Sequence, residues 1–265
     1  MKTFKESWAG KESRYNHWTS GKPTNQIQFA FRKNYEVFKW IINIAVGYKN
    51  LKVLEVGCGR GTISNYFLED GHECHMLDFD KSIVKVGRQN LKTNTFVCGD
   101  ALNLPYKDSY FDVVVSVGLL EHFEKSDIKR IMNEAIRVLR PGGLYLHYVV
   151  PKTCVVQERY GWINNCLRRL WGKRKKESEV FVNDLSPADY KEISPGILLM
   201  CGLYPLPMIS YSPKFPFTLM PPWFEKTLVA IFKLWIFLRG GYWSCDTNYG
   251  QAFLLNGRVL WSRKI

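Results

Sequence analysis

A glycine-rich turn is the first feature of this sequence that could do chemistry. Gly57, Gly59 and Gly61 stand between a short apolar run and a run with helical spacing. Glycines let the backbone turn sharply and approach a ligand closely, and the N-terminus of a helix offers free N–H groups to a carboxylate or phosphate. Asp78 follows about 20 residues later, where an acid can accept hydrogen bonds from both hydroxyls of a ribose. Together these residues predict a nucleotide-like cofactor.

The elements that must position these residues alternate along the middle of the chain. Strand-like runs lie at 52–56, 72–78, 95–98, 111–116 and 144–150, and helical spacing separates them. Strands that alternate with helices build a parallel sheet covered on both faces, so the predicted fold class is α/β. Further predictions are a helix at about 25–46, a helix at 186–202 and two last strands at 204–210 and 251–260.

The glycine turn and Asp78 fit NAD as well as S-adenosylmethionine. The dinucleotide fingerprint requires its third glycine at position 62, where this chain has Thr62. Further along, the chain carries Gly99-Asp100-Ala101-x-x-Leu104-Pro105, Phe111-Asp112-Val113-Val114, Glu121-His122 and Leu139-Arg140-Pro141-Gly142-Gly143. With Val53 to Gly61 and Leu77 to Asp80, these motifs resemble the class I S-adenosylmethionine-dependent methyltransferases, closest to their small-molecule, type 11-like branch. The resemblance covers residues 53–151.

The resemblance implies a Rossmann-like sheet of seven mostly parallel strands with helices on both faces, plus cap segments at either end. It also implies the residues that bind S-adenosylmethionine, which are Glu55, Gly57, Cys58, Gly59, Asp78, Phe79, Asp100 and Ala101. Gly57 and Gly59 would pass the methionine part, Asp78 would hold the ribose, and Phe79 would lie against the adenine ring. Asp112 is interpreted as ordering the start of its strand, and Pro141-Gly142-Gly143 as a turn that feeds the fifth strand.

Glu121 and His122 are the predicted catalytic residues. They follow the fourth strand, at the carboxyl edge where open α/β sheets bind ligands, and relatives place such a pair beside the methyl group. Histidine ordinarily titrates near pH 6.5, which suits a general base, so His122 is the candidate. The alternatives are that His122 caps or packs the next helix and that Glu121 belongs to the cofactor pocket or to the start of that helix. His147, inside the fifth strand, is interpreted as a packed core residue.

The net charge of +13 favours anionic partners and cannot choose among them. Residues 53–151 hold eleven Lys and Arg against thirteen Asp and Glu, so the excess lies outside the core. The chain lacks an Asn/Asp-Pro-Pro-aromatic motif after the fourth strand and has no Pro-Cys pair, which disfavours nucleic acid as the acceptor. The sequence starts without an apolar signal region, and its seven cysteines form no Cys-x-x-Cys pair. These features predict a cytoplasmic chain without a metal site.

Three segments outside the core are predicted to form a cap. Residues 1–50 form a helical lid in which Tyr15 and Trp18 contact the substrate, and the methyltransferase domain at 51–265 carries insertions at 152–185 and 212–248. Residues 228–238 are apolar except for Lys233 and span about 16 Å as a helix, too short to cross a bilayer. This run is interpreted as a buried helix, a dimer contact, an interfacial helix at an anionic membrane surface, or the wall of an apolar tunnel.

These features predict a methyltransferase that O-methylates a small or lipid-linked acceptor, such as a glycolipid or a polyisoprenyl-linked sugar. The nearest alternative is a C-methyltransferase that acts on a prenylated quinone-type substrate. Two alternatives from other classes are a NAD-dependent oxidoreductase, which Thr62 disfavours, and a cofactor-binding scaffold without turnover. Asp78 and Asp100 are both present, so the sequence shows no loss of the cofactor pocket that would favour the scaffold.

Overall fold

An eight-stranded sheet forms the centre of the described part of the chain. The computed structural model describes residues 22–91, 95–150, 166, 169–170, 182–194, 197–203, 220–244 and 252–258. The strands are β1 (Lys52–Val56), β2 (Glu73–Asp78), β3 (Phe96–Cys98), β4 (Phe111–Val117), β5 (Leu139–Val149), β6 (Ile197–Leu203), β7 (Trp243–Ser244) and β8 (Ala252–Arg258). The helices are α1 (Gln26–Val46), α2 (Thr62–Glu69), α3 (Lys81–Leu91), α4 (Lys125–Val138), α5 (Pro187–Ile193) and α6 (Pro222–Leu238).

The order of the strands in the sheet reverses beside β1. The strands run β3-β2-β1-β4-β5-β8-β6-β7, and the first five pair in parallel. β8, β6 and β7 extend the sheet with antiparallel pairs. Because β1 has β2 on one side and β4 on the other, the chain order reverses there, and open α/β sheets bind ligands outside the carboxyl ends of such strands. The predicted α/β class with a parallel core is confirmed.

Burial explains why the parallel strands could be recognised in the sequence. Val53, Leu54 and the run Val113-Val114-Val115 have no exposed surface, because helices cover both faces of the sheet. Parallel strands that are buried on both sides appear as continuous apolar, β-branched runs. Full burial of one such side chain stabilises the fold by about 1.5–3 kcal/mol. The central strands therefore carry both the sequence signal and much of the core.

Two helical layers sandwich the sheet. α1, α2, α3 and α6 contribute to the apolar cluster on one face, and α4 and α5 contribute to the cluster on the other. α1 begins after Asn25, whose side-chain oxygen accepts a hydrogen bond from the Gln28 N–H at 3.0 Å. Phe38 and Ile42 of α1 are fully buried against the sheet. The predicted helix at about 25–46 is confirmed, and it belongs to the layer that covers the sheet.

The helix predicted at 186–202 is wrong beyond its first two turns. α5 starts at the predicted cap, where Ser186 and Asp189 form a capping box, but it ends at Ile193. Pro195 follows Ser194, and a residue before proline avoids the helical region, so Ser194 adopts extended backbone angles. Ile197–Leu203 then forms β6, which pairs antiparallel with β8. The apolar run suits a buried helix or a buried strand, and the pairing with β8 decides for the strand.

The sheet has eight strands in the described ranges, and the seven predicted are corrected accordingly. β7 contains two residues, Trp243–Ser244, too few to leave a pattern in the sequence. The strand predicted at 204–210 lies outside the described residues. β5 begins at Leu139, earlier than the predicted 144, because Pro141-Gly142-Gly143 lies within the strand. The register with β4 shifts between Phe111 and Val113, so this stretch joins the sheet with an irregularity.

Asp112 joins three strands at their starts. Its Oδ2 accepts a hydrogen bond from the Lys52 N–H at 2.6 Å. Its Oδ1 forms an ion pair with Arg140 Nε, also at 2.6 Å. Asp112 is buried among the residues that begin β1, β4 and β5. The predicted ordering role of Asp112 is confirmed, and the acid lies at the end of the sheet opposite the glycine turn.

Candidate functional site

The glycine turn after β1 uses backbone conformations that other residues rarely adopt. Gly57, Gly59 and Gly61 have φ values of 68°, 51° and 73°. The N–H groups of Gly57 and Cys58 both donate to the Leu77 carbonyl, at 2.8 and 3.0 Å. Cys58 itself is buried. The turn is therefore hydrogen-bonded to the last residues of β2 before α2 begins at Thr62.

Gly57 also lies against the loop that follows β4. A β-carbon placed on Gly57 would stand 2.8 Å from Leu119 Cδ1. Such a distance is too short for two carbon atoms, so only glycine fits without movement of Leu119. This contact places the loop that carries Glu121 and His122 next to the glycine turn.

We expect Gly57→Ala to destabilise the protein more than Gly142→Ala. Both glycines have positive φ, 68° and 80°, which costs an alanine about 1–2 kcal/mol. Nothing lies within 4 Å of a β-carbon on Gly142, whereas the one on Gly57 meets Leu119. The free energy of unfolding in urea should therefore fall by about 1 kcal/mol more for Gly57→Ala. Equal losses for the two variants would contradict the close contact.

Asp78 connects three loops at the carboxyl edge of the sheet. Its Oδ2 accepts the Gly59 N–H at 2.9 Å, and its Oδ1 accepts the Asp80 N–H at 3.0 Å. Its backbone carbonyl accepts the Gly99 N–H at 2.9 Å. Burial raises the pKa of Asp78, and the two amide hydrogen bonds oppose that rise. The buried Asp78 carboxylate thus holds the loops after β1 and β2 together. The backbone carbonyl of the same residue holds the loop after β3.

Phe79, Asp100 and Ala101 lie beside Asp78 on these loops. Phe79 and Asp100 are partly exposed, and Ala101 is buried. Asp100 Oδ1 accepts the Leu102 N–H at 3.1 Å, which shapes the turn after β3. The Cys98 thiol lies 3.5 Å from the Phe79 carbonyl. The side chains of Phe79 and Asp100 both reach solvent at this edge of the sheet. An aromatic ring can stack on a purine base, and a carboxylate can accept a hydrogen bond from its amino group.

Glu55 fixes the other side of the glycine turn. Its Oε2 accepts hydrogen bonds from the Ser64 N–H at 2.9 Å and from the Ser64 hydroxyl at 2.6 Å. The carboxylate is buried between the end of β1 and the first turn of α2. Glu55 therefore holds both ends of the turn in place, and nothing in the sequence pattern indicated Ser64 as its partner.

Glu121 and His122 lie on a single 3-10 turn, Leu120–His122, directly after β4. The Glu121 carboxyl is buried, and its Oε1 accepts the Val150 N–H at 3.4 Å. Its Oε2 has no hydrogen-bond partner among the described residues. Burial raises the pKa of Glu121 to about 8, so the group is mostly neutral at pH 7. His122 is partly exposed.

Asn183 holds the Leu120–His122 turn in place, although the sequence did not indicate it. Its backbone N–H donates to the Glu121 carbonyl at 2.8 Å, and its side-chain amide donates to the carbonyls of Leu120 at 3.2 Å and Phe123 at 2.9 Å. Asn183 is buried although it stands about 60 residues further along the chain. A lone asparagine in a basic segment leaves no motif, so only the folded chain reveals the contact.

His147 is a core residue, as predicted. It has no exposed surface, its Nδ1 lies 2.6 Å from the Ser116 hydroxyl, and burial lowers its pKa to about 3. Tyr15 and Trp18, the predicted substrate contacts, lie outside the described residues. Within the described ranges, no group of three or more His, Cys, Asp and Glu side chains is placed to hold a metal ion.

Comparison with known proteins connects this site to a family. Residues 54–147 match a family model described as a methyltransferase domain. The chain is 35% identical over 106 residues to a demethylmenaquinone methyltransferase of Paenarthrobacter aurescens, which covers 38% of this chain and 41% of that protein. It is 39% identical over 100 residues to a phthiotriol/phenolphthiotriol dimycocerosates methyltransferase of Mycobacterium ulcerans, which covers 36% of each.

The similarity to solved structures concerns the fold. A crystal structure of a protein described as a putative sarcosine dimethylglycine methyltransferase from Galdieria sulphuraria superposes with a TM-score of 0.56 over 97% of both chains, at 15% identity. The chain spans about two fifths of the length of the curated relatives it matches. The names of the two relatives refer to different acceptors. Their similarity to this chain therefore concerns the methyltransferase domain and does not identify an acceptor.

Proposed function

Residues 54–147 form a class I S-adenosylmethionine-dependent methyltransferase domain, and from this premise we propose that the chain transfers a methyl group to a hydroxyl of a small or lipid-linked acceptor. A glycolipid or a polyisoprenyl-linked sugar is the proposed class of acceptor. The reaction takes place in the cytoplasm, next to a membrane that holds the acceptor.

The observation that carries the proposal is the joining of three loops by Asp78. S-adenosylmethionine supplies an electrophilic methyl group on a sulfonium when it is bound. The residues present fit this cofactor, since a turn whose Gly57 has no room for a β-carbon unless Leu119 moves lies beside a buried acid and a partly exposed ring. The residues that would hold it are Glu55, Gly57, Cys58, Gly59, Asp78, Phe79, Asp100 and Ala101.

Proton transfer is assigned to the turn after β4. The acceptor hydroxyl would lose its proton on taking up the methyl group that the bound cofactor would supply, and a ring nitrogen of His122 would accept that proton. His122 reaches solvent in part, so the proton can leave to water. Glu121 is the positioning residue, because its buried carboxyl is mostly neutral at pH 7 and can donate a hydrogen bond inside the site.

His122→Ala is expected to lower the turnover number by about 100-fold, because a positioned base contributes that much or more. Affinity for S-adenosylhomocysteine should stay unchanged, since His122 is not among the residues assigned to the cofactor. The measurement is transfer of labelled methyl groups to a polyisoprenyl-linked sugar, together with calorimetric titration of the product cofactor. Lys125→Ala, at the exposed start of α4, is the control and should retain full turnover. Full turnover of His122→Ala would remove the base from the proposal.

C-methylation of a prenylated quinone is the second candidate, favoured by the similarity to a demethylmenaquinone methyltransferase. The acceptor assay separates the two functions when both acceptors are offered in parallel. Label in the sugar lipid supports the proposal, and label only in the quinone supports the second candidate. Cofactor binding without any methyl transfer would favour the non-catalytic scaffold. RNA is offered as a third acceptor, and label in RNA alone would contradict the lipid-linked acceptor.

A further inference from the structure

The outward face of α6 is an apolar surface without a partner among the described residues. α6 contains 17 residues, and its side towards α1 buries Leu228, Val229 and Phe232. The opposite side exposes five large apolar side chains, with exposed fractions of 70% for Trp223, 53% for Ile231, 57% for Leu234, 79% for Phe237 and 73% for Leu238. The helix is therefore not buried all round, which corrects one interpretation of its sequence. We call these five residues the outer stripe.

Polar contacts fix which face of α6 points outward. Glu225 is buried, its Oε2 accepts the Gln26 N–H at 2.9 Å, and its Oε1 accepts the Met220 N–H at 2.7 Å. Gln26 is the first residue of α1, so the carboxylate also compensates the positive end of that helix. Phe232 packs on Phe29 with ring centroids 6.4 Å apart. Rotation of α6 would break these contacts, so the outer stripe is held towards solvent.

The charges on α6 are arranged for an anionic surface. Glu225 is the only acid of the helix and points inward, whereas Lys226 and Lys233 are both exposed, two turns apart. Arg239 follows the last turn and is exposed too. Helical geometry places both lysines along one border of the outer stripe. The exposed side of α6 therefore combines large apolar groups with positive charge and no negative charge.

We propose that the outer stripe binds an anionic lipid surface, with α6 lying in the plane of the membrane interface. Trp, Phe and Leu side chains enter the boundary between headgroups and acyl chains, and Lys226 and Lys233 meet the headgroups. At about 1.5 Å per residue the helix offers roughly 25 Å of contact. Among the described residues, no helix has both the length and the apolar character to cross a bilayer. The inference extends the proposed lipid-linked acceptor and does not depend on it.

Charge favours lipid over a second copy of the chain as the occupant. In a two-fold contact between outer stripes, Lys226 and Lys233 of one copy would meet the same residues of the other. α6 has no exposed acid that could pair with them. Anionic headgroups supply that partner at every position along the helix.

Vesicle flotation of the full chain tests the proposal. The unaltered protein should float with vesicles of phosphatidylcholine and phosphatidylglycerol, more weakly at high salt and with phosphatidylcholine alone. Leu234→Ser/Phe237→Ser should weaken binding at least about tenfold, because both changes remove exposed apolar groups without touching the core. Lys226→Glu/Lys233→Glu should weaken binding by a similar factor and remove its salt dependence.

Matched controls separate this surface from general charge and from the cofactor site. Lys129→Glu/Lys191→Glu makes the same charge change at exposed positions of α4 and α5, on the opposite side of the sheet, and should bind vesicles like the unaltered chain. Titration with S-adenosylhomocysteine should be unchanged in Leu234→Ser/Phe237→Ser. The proposal is overturned if the unaltered chain does not float, or if the serine variant floats equally well. It is also overturned if the unaltered chain is a dimer that the serine variant dissociates, without vesicle binding.

Discussion

Asp78→Ala is expected to weaken binding of S-adenosylhomocysteine at least about 100-fold. The substitution removes the acceptor of two backbone N–H groups, those of Gly59 and Asp80, and the Gly59 bond is the one that joins the loops after β1 and β2. A buried donor that loses its partner costs about 1–3 kcal/mol, and a factor of 100 corresponds to about 2.7 kcal/mol. The proposed hydrogen bonds to the ribose would be lost in addition.

Calorimetric titration measures this effect, with NAD as the comparison ligand. Asp80→Ala is the matched control, because Asp80 Oδ1 also accepts two hydrogen bonds, from the N–H and the hydroxyl of Ser82 at 2.8 and 2.6 Å. Those bonds lie at an exposed site at the start of α3, so Asp80→Ala should bind nearly as well as the unaltered chain. Asp78→Asn keeps one acceptor oxygen and should fall between the two. Unchanged affinity in Asp78→Ala, or tighter binding of NAD, would contradict the cofactor assignment.

Glu121→Gln is expected to change how stability depends on pH. Burial raises the pKa of Glu121 to about 8, whereas an unfolded glutamate titrates near 4.3. Between these values the folded protein holds one proton more than the unfolded chain, so this group makes stability fall as pH rises through the window. At about 1.4 kcal/mol per unit, the loss is on the order of 3–5 kcal/mol above pH 8. Glutamine mimics the neutral carboxyl and has no such loss.

Urea unfolding at pH 5 and pH 9 checks this prediction. The two proteins should be similarly stable at pH 5, and Glu121→Gln should be the more stable at pH 9. Glu124→Gln, which alters an exposed acid three residues away, should follow the unaltered chain at both values. If Glu121→Gln also follows it at both values, Glu121 is ionised in the folded protein and its proposed positioning role fails.

Local features of the sequence predicted the parallel half of the sheet and the glycine turn after β1. β1 and β4 contain the apolar runs Val53-Leu54 and Val113-Val114-Val115, because these residues are buried on both faces of the sheet. The glycine turn was recognisable because its positive φ values restrict the residue type to glycine. Asp112 was recognised as structural, since it follows the first residue of a buried strand. In each case a few residues that are neighbours in the sequence are enough to determine the local structure.

Contacts between distant parts of the chain decided what the sequence left open. The apolar run Ile197–Leu203 suits either type of element, and its pairing with β8 makes it a strand. Asn183 supports the turn of Glu121 from about 60 residues away, and the raised pKa of Glu121 exists only because the fold removes its carboxyl from water.

α6 shows the same division in one element. Its sequence, apolar on nearly every side, predicted a helix but could not indicate which face is buried. The Glu225 carboxylate selects that face by bonding to Gln26, 199 positions away in the chain. Residue types and their spacing thus determined where the parallel strands, α1 and the glycine turn form, because those requirements are local. Burial, pairing and charge in the folded chain decided which faces and side chains are available for function, because those energies depend on neighbours that only folding brings together.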